Sequence, residues 1–343
     1  DEIHGKVVNV TVDGVLYPNV SVDDEFITHV LTEYKPYTII VEYGGNENFT
    51  DARVEHTFTP SKVTTYGINI TAMNITVGDD EIITVEVPDN VDDVVIWVNG
   101  TKYRNTSFSD NKATFNVTGL KEGIYTVTAT VNDTEFVPIN FTTIFTVSKT
   151  YPSINITVVN ETSIYVNDTV KVIVTVPSDA TEDVTIEING MKFTNSTVNG
   201  NATFYIPQIT FGNKTVVATY PGDDKYRFNS TTANFTVNKR QSQVNVTVDA
   251  GLVGDDTVIN VTIPANATGY VIVNVDGTNY TVNTTNGNGS ITIKGLGNTT
   301  HTVHVTYIGD DQYLPSENET TFGIPKANTT IAIAVESIDY GQK

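Results

Sequence analysis

Along most of the chain apolar residues fall on every second position, as in Val170, Val172, Val174 and Val176, with polar residues between them. That period of two is the mark of a strand with one face on a core and the other in water. One stretch predicts strands at about 153–159, 169–176, 183–189, 190–195, 201–206, 213–220 and 231–238. No window carries a 3.6-residue apolar period bounded by caps, so essentially no helix is expected. Clean alternation of this kind belongs to antiparallel sheets wetted on one side.

The pattern repeats. Phe58-Thr59-Pro60-Ser61-Lys62 recurs as Phe145-Thr146-Val147-Ser148-Lys149, Phe235-Thr236-Val237-Asn238-Lys239 and Phe322-Gly323-Ile324-Pro325-Lys326, with the lysines 87, 90 and 87 residues apart. An alternating segment follows each lysine, the last being Thr330-Ile331-Ala332-Ile333-Ala334. Asp13-Gly14, Asn99-Gly100, Asn189-Gly190 and Asp276-Gly277 fill one equivalent place, where a type I′ hairpin needs two residues tolerant of positive φ. Seven short strands in about 90 residues match an immunoglobulin-like sandwich. The expected fold class is therefore all-β: tandem Ig-like β-sandwich domains in a rod. The expected domains are residues 1–61 (incomplete, lacking the first strands), 62–148, 149–238, 239–325, and 326–343 as the first strand of a further domain. Aligned on the hairpin glycines, Asp1 corresponds to Val87, so the first repeat opens at its third strand. This predicts either a segment of a longer repeat polypeptide or strand donation between copies. The lone Trp97 takes a place held by Glu187 and Asn274 in other repeats, and is expected outside the core.

Tyr43-Gly44-Gly45-Asn46-Glu47-Asn48-Phe49, Tyr220-Pro221-Gly222-Asp223-Asp224-Lys225-Tyr226 and Tyr307-Ile308-Gly309-Asp310-Asp311-Gln312-Tyr313 close their repeats. With the Phe-x-Val-x-Lys joint, this resembles the bacterial Ig-like repeats of the group 3 type and the tandem repeats of adhesin-like cell-surface proteins of methanogenic archaea. The likeness runs over the whole chain but departs at Val131-Asn132-Asp133-Thr134-Glu135-Phe136. It implies an extracellular stalk or adhesin without an active site.

Charge narrows the partners. With 19 Lys+Arg against 40 Asp+Glu the formal net charge is -21, a poor surface for nucleic acid. No apolar run is long enough to span a bilayer, so no membrane segment is expected in this stretch. There is no cysteine, which removes disulfides and Cys-based zinc sites.

Asparagine changes the picture most. The acceptor pattern Asn-x-Ser/Thr occurs 27 times among 35 asparagines, where chance placement gives about seven. Outer-face alternation accounts for part of that excess, because Thr favours strands, but not for the choice of asparagine, a poor strand former. N-glycosylation is expected at Asn9, Asn19 and Asn48 in the first repeat and at Asn69, Asn74, Asn99, Asn105, Asn116, Asn132 and Asn140 in the second. In the third it is expected at Asn155, Asn160, Asn167, Asn195, Asn201, Asn213, Asn229 and Asn234. The fourth and its sequel carry Asn245, Asn260, Asn266, Asn279, Asn283, Asn288, Asn298, Asn318 and Asn328. Covalent glycans would cover flat sheet surface and imply export.

Acid pairs stand at Asp79-Asp80, Asp223-Asp224, Asp255-Asp256 and Asp310-Asp311. Hard cations favour clustered oxygens, so calcium is one expectation there; turn chemistry in an acidic chain is the other. No cofactor is expected. His4, His29, His56, His301 and His304 form no metal motif, and no nucleophile elbow or phosphate loop occurs, so a non-enzymatic protein is expected. Tyr103, Phe108, Tyr165, Tyr226, Phe228, Tyr280 and Tyr313 either stack on sugars or cap sandwich ends. The expected role is a glycosylated extracellular stalk on an archaeal surface. Its alternatives are a filament or surface-layer subunit that partners itself, and an adhesin for cell-surface proteins or glycans.

Overall fold

A computed structural model describes residues 6–23, 27–159, 163–337 and 340–341. The protein divides into two compact units, Asp1–Thr150 with Asp224–Tyr226, and Tyr151–Asp223 with Arg227–Lys343. No helix occurs among the described residues.

In the first unit, β1 (Val7–Val12), β2 (Val15–Ser21), β3 (Tyr37–Tyr43) and β4 (Ala52–Phe58) form an antiparallel sheet ordered β2-β1-β3-β4. Val8, Val10 and Val12 are buried on one of its faces. Among the described residues no second sheet covers that face. Ile27, His29 and Leu31, from the chain between β2 and β3, flank a groove of about 410 Å³ instead. There follow β5 (Asn69–Thr71), β6 (Ile75–Thr76), β7 (Glu81–Glu86), β8 (Val94–Val98), β9 (Thr101–Asn105), β10 (Lys112–Val117), β11 (Gly123–Val131) and β12 (Phe141–Ser148). They make two sheets, β10-β7-β5 and β6-β12-β11-β8-β9, closed on a core of Ile83, Val85, Val94, Ile96, Val127 and Phe145.

The second unit holds two further sandwiches. In one, β13 (Asn155–Val159), β14 (Val170–Thr175), β15 (Val184–Ile188), β16 (Met191–Asn195), β17 (Asn201–Ile206), β18 (Gly212–Tyr220) and β19 (Asn229–Val237) form sheets β13-β14-β17 and β16-β15-β18-β19. The other repeats that topology with β20 (Asn245–Asp249), β21 (Thr257–Thr262), β22 (Tyr270–Val275), β23 (Thr278–Asn283), β24 (Asn288–Ile293), β25 (Thr300–Tyr307) and β26 (Ser316–Gly323). All seven strands expected between 153 and 238 are present. Val170, Val172, Val174 and Val176 are all buried, each worth about 1.5–3 kcal/mol of transfer free energy. The second, third and fourth repeats are tandem Ig-like sandwiches, with the hairpin strands β9, β16 and β23 on the larger sheet of each.

The hairpin turns are type I′ as the sequence predicts: Asn99 and Asp276 sit at φ 45° and 48°, and Gly100 and Gly277 at 89° and 91°. The place of Trp97 is also as expected, half-buried beneath Lys102 at 5.9 Å while its neighbour Ile96 fills the core.

Two features depart from the expectations. The opening strand of the second sandwich is split: β5 pairs antiparallel with β7, then β6 crosses to pair parallel with the last strand, β12. The third does the same, Val166 donating to the Asn238 carbonyl and Asn238 to that of Ile164, and in the fourth Val253 donates to the Pro325 carbonyl. A two-residue pairing is too short for alternation to reveal. The strand expected at 330–334 does not form, and Ile331, Ile333 and Val335 are 83%, 80% and 82% exposed. A strand needs a ladder partner, and this segment pairs with none of the described strands.

A corner recurs in all four repeats. At the start of β3, β11, β18 and β25 stand Tyr37, Tyr125, Lys214 and His301, each paired with the motif phenylalanine: Phe58, Phe145, Phe235 and Phe322. Each reaches back to the loop before its strand. The Tyr37 hydroxyl donates to the Glu33 carbonyl at 2.8 Å, Tyr125 to Lys121 at 3.1 Å and Lys214 Nζ to Phe211 at 3.2 Å. This is the tyrosine corner of Ig-like domains, built here from three residue types.

Candidate functional site

Where an Asn-x-Thr triplet lies in a strand, its asparagine and threonine share the face opposite the residue between them, whereas Asn99, Asn132, Asn266, Asn298 and Asn328 stand in turns and loops. Asn69, Asn116, Asn155, Asn245 and Asn260 all stand outward in this way around Ile70, Val117, Ile156, Val246 and Val261. Of the 26 described sequon asparagines 23 are exposed, and Asn105, Asn229 and Asn318 are half-buried, so a substituent on nearly all of them displaces no core. Asn160 lies outside the described residues.

Several of these amides hold structure together. Asn229 Nδ2 donates to the Pro152 carbonyl and Asn318 Nδ2 to that of Val244, both at 2.8 Å, tying the last strand of each sandwich to its opening segment. Asn298 Nδ2 bonds the Ile324 carbonyl at 2.6 Å. Asn132 Nδ2 bonds Asp93, which also receives a two-pronged bond from Arg104 at 2.9 and 2.7 Å. The Arg104 guanidinium holds the Asp93 carboxyl below the usual carboxylate range, whereas the neighbouring Asp133 carboxyl pushes Asp92 up. This polar cleft of about 550 Å³ is not visible in the sequence, because its members come from three separate loops and β9.

The acid pairs divide their roles. Asp79 Oδ2 accepts from the Thr76 amide and hydroxyl at 3.2 and 2.6 Å, and Asp255 Oδ2 from the Leu252 amide at 2.9 Å. Asp223 accepts the Tyr220 hydroxyl at 2.5 Å and the Thr181 amide at 3.0 Å. Asp310 accepts the amides of Thr268, Gln312 and Tyr313 at 2.7 to 2.8 Å. Burial alone would raise Asp310, but those three amides and the Tyr307 hydroxyl outweigh it and hold the carboxyl low. Burial, reinforced by Asp223, pushes the Tyr220 hydroxyl up to about 12. The second members face outward: Asp80 and Asp311 are exposed, and Asp224 and Asp256 lie 3.6 Å from Lys121 and Lys294. Among the described residues no group of three or more His, Asp or Glu is placed to hold a metal ion.

The histidines stay apart. His29 Nδ1 meets the Tyr17 hydroxyl at 2.5 Å, His304 lies 3.4 Å from Glu317, His56 is exposed, and His4 is outside the described residues. Most of the aromatics serve packing. Tyr103 and Phe108 lean on the second core, Tyr280 and Tyr313 on the fourth, and Tyr226 is buried. Tyr165 lies under Arg240, 5.0 Å from ring to guanidinium. Phe228 alone of the seven is exposed. Arg240 stands between β19 and β20: its side chain also bonds Asp168 at 2.5 Å, and its backbone exchanges bonds with Gln312 and Leu314. Lys239 Nζ bonds the Asp310 carbonyl beside it.

No family model and no curated protein matches the chain. Among solved structures it is similar to fibronectin(III)-like modules of Clostridium thermocellum CbhA, at 18% identity over 50% of this chain and 94% of that one, with a TM-score of 0.23. It is similar to the mouse nectin-like molecule 4 ectodomain (Ig1–Ig3) at 12% identity over 76% of this chain and 100% of that one, TM-score 0.27. A third is the Bacteroides ovatus mixed-linkage glucan utilization locus protein SGBP-B in complex with a mixed-linkage heptasaccharide, at 15% identity over 74% of this chain and 66% of that one, TM-score 0.20. The chain is an all-β protein of tandem Ig-like sandwiches.

Proposed function

We propose that this chain is a non-enzymatic, heavily N-glycosylated extracellular stalk or fibre of Ig-like repeats, of the adhesin-like kind displayed on archaeal cells. The observation that supports it is the outward register of the acceptor asparagines: a fourfold excess of sequons over chance, with none of the described ones buried. Glycans there would shield the sheet faces and, with a net charge of -21, keep closely spaced copies soluble. Intact-mass and glycopeptide mass spectrometry of native material tests it. A mass well above the bare 37.4 kDa for this span, with occupied outward sites such as Asn116 and Asn260, supports the reading; the bare mass sinks it.

A second reading, a self-assembling filament or surface-layer subunit, is favoured by an apolar groove and an exposed apolar segment. The groove along Val10, Val12 and Ile39 and the segment bearing Ile331, Ile333 and Val335 have the character of a sandwich interior and of a strand that would fill it. Filaments on native cells that dissociate when Ile331 and Ile333 are changed to Asp would establish this reading; their persistence would exclude it.

A further inference from the structure

The fourth corner differs from the other three in a way that goes beyond a structural stalk. His301 is buried and both of its ring nitrogens face acceptors: Nδ1 lies 2.5 Å from Asp276 Oδ2, and Nε2 lies 2.9 Å from the Gly297 carbonyl. Two acceptors require two donors, and only the protonated imidazolium has both. A tyrosine hydroxyl or a lysine ammonium donates at this place in the other repeats.

We propose that His301 makes the corner of the fourth sandwich a protonation-dependent clasp, closed while the ring is charged and loosened when it is neutral. Losing the proton leaves Nδ1–H directed at the Asp276 carboxylate, while the bare Nε2 lone pair opposes the Gly297 carbonyl. The Thr299 hydroxyl, 3.2 Å away, can then donate to Nε2 in its place. The loop before β25 exchanges one anchor for another.

The surroundings of the ring fix the sign. Asp276, from the turn between β22 and β23, is the charged group that faces it. The loop before β25 offers the Gly297 carbonyl and Thr299 hydroxyl, and β26 the Phe322 ring at 5.4 Å. His304, three residues along β25, turns to the opposite face toward Glu317. The bond to Asp276, then that to Gly297, outweighs the opposing effect of burial and raises the His301 pKa above its ordinary 6.5. Asp276 is lowered, first by the same bond and then by the Thr302 amide. A raised histidine contributes stability that is full below 6.5 and lost as pH rises through the folded value. The lowered aspartate contributes stability that is lost only as pH falls through its own depressed value. The clasp is therefore closed in mild acid and opens toward the alkaline side.

The test uses the full chain. Long-range ¹H–¹⁵N spectra of the histidine rings should show His301 with both nitrogens protonated at pH about 6 and titrating above 6.5, its signals assigned by their loss in His301→Tyr. Hydrogen exchange, corrected for intrinsic rate and compared between pH about 6 and about 8.5, should show β25 and β26 losing protection while β18 and β19 keep theirs. The loss should be about tenfold for each unit by which the folded pKa exceeds 6.5. His301→Tyr should abolish that pH dependence. Asp276→Asn, which puts at the turn the residue found at Asn99 and Asn189, should lower the His301 titration. His301 titrating at or below 6.5, or Asp276→Asn leaving its titration unmoved, overturns the proposal even if His301→Tyr does not fold. Glycan occupancy has no bearing on either outcome.

Discussion

Asp310 and Asp311 are chemically alike and adjacent, yet one carboxylate organises a loop and the other faces water. Removing an acceptor shared by three amides leaves charged-type hydrogen bonds unmade, so Asp310→Ala should cost about 2–3 kcal/mol, whereas Asp311→Ala should stay within about 0.5 kcal/mol. Thermal unfolding of the two variants measures the difference. Because the Asp310 pKa is depressed in the folded state, its contribution is complete above the ordinary 3.8 and is lost as pH falls through the lower, folded value. A wild-type acid titration should thus converge on that of Asp310→Asn at low pH. If calcium bridged the pair, Asp311→Ala would lose stability too, and only with calcium present. The paired acids were legible in the sequence, but their division of labour was not, since it depends on which carboxylate the turn directs inward. The corner was hidden for a different reason: Tyr37, Tyr125, Lys214 and His301 share a position and a bond but little chemistry, and only pairing with the motif phenylalanines lines them up.

Among the elements, the strands were the most legible, because burial on one face imposes a period of two that Val170 to Val176 display openly. The turns were half legible. The Asn-Gly pairs after β8 and β15 join two alternating runs directly, whereas Asn199-Gly200 and Asn286-Gly287, which open β17 and β24, are set off by a few polar or irregular residues from the end of β16 and β23. Gly200 sits at φ 76°, and a Cβ there would lie 2.5 Å from the Val176 carbonyl oxygen, inside contact distance. Gly200→Ala should therefore destabilise the third sandwich by more than about 2 kcal/mol, which denaturant unfolding can check. Between β19 and β20, Arg240→Ala removes a partly exposed ion pair worth at most about 1 kcal/mol. Its larger effect should be faster independent motion of the two sandwiches it joins, read from ¹⁵N relaxation.

For the whole molecule, the cores around Val10, Phe145 and Val305 are separate clusters. Such a chain should unfold in more than one calorimetric transition. Ile259→Ala, which opens a void in the fourth core alone, should lower one of them by about 2–5 kcal/mol and leave the others in place. Repeat length and sandwich architecture were legible because the same phrase recurs at near-constant spacing. The parallel crossing of the opening strand was not, since it involves only a residue or two in each of the second, third and fourth repeats. That crossing matters once the molecule is pulled. Where the first and last strands of a sandwich lie side by side and parallel, tension applied to the two ends slides one along the other. Their bonds must then fail together instead of peeling one by one. Each such β-sandwich, gripped at Ile75–Thr76 or at Ile164–Val166, is built to resist stretching better than its resting stability alone would suggest.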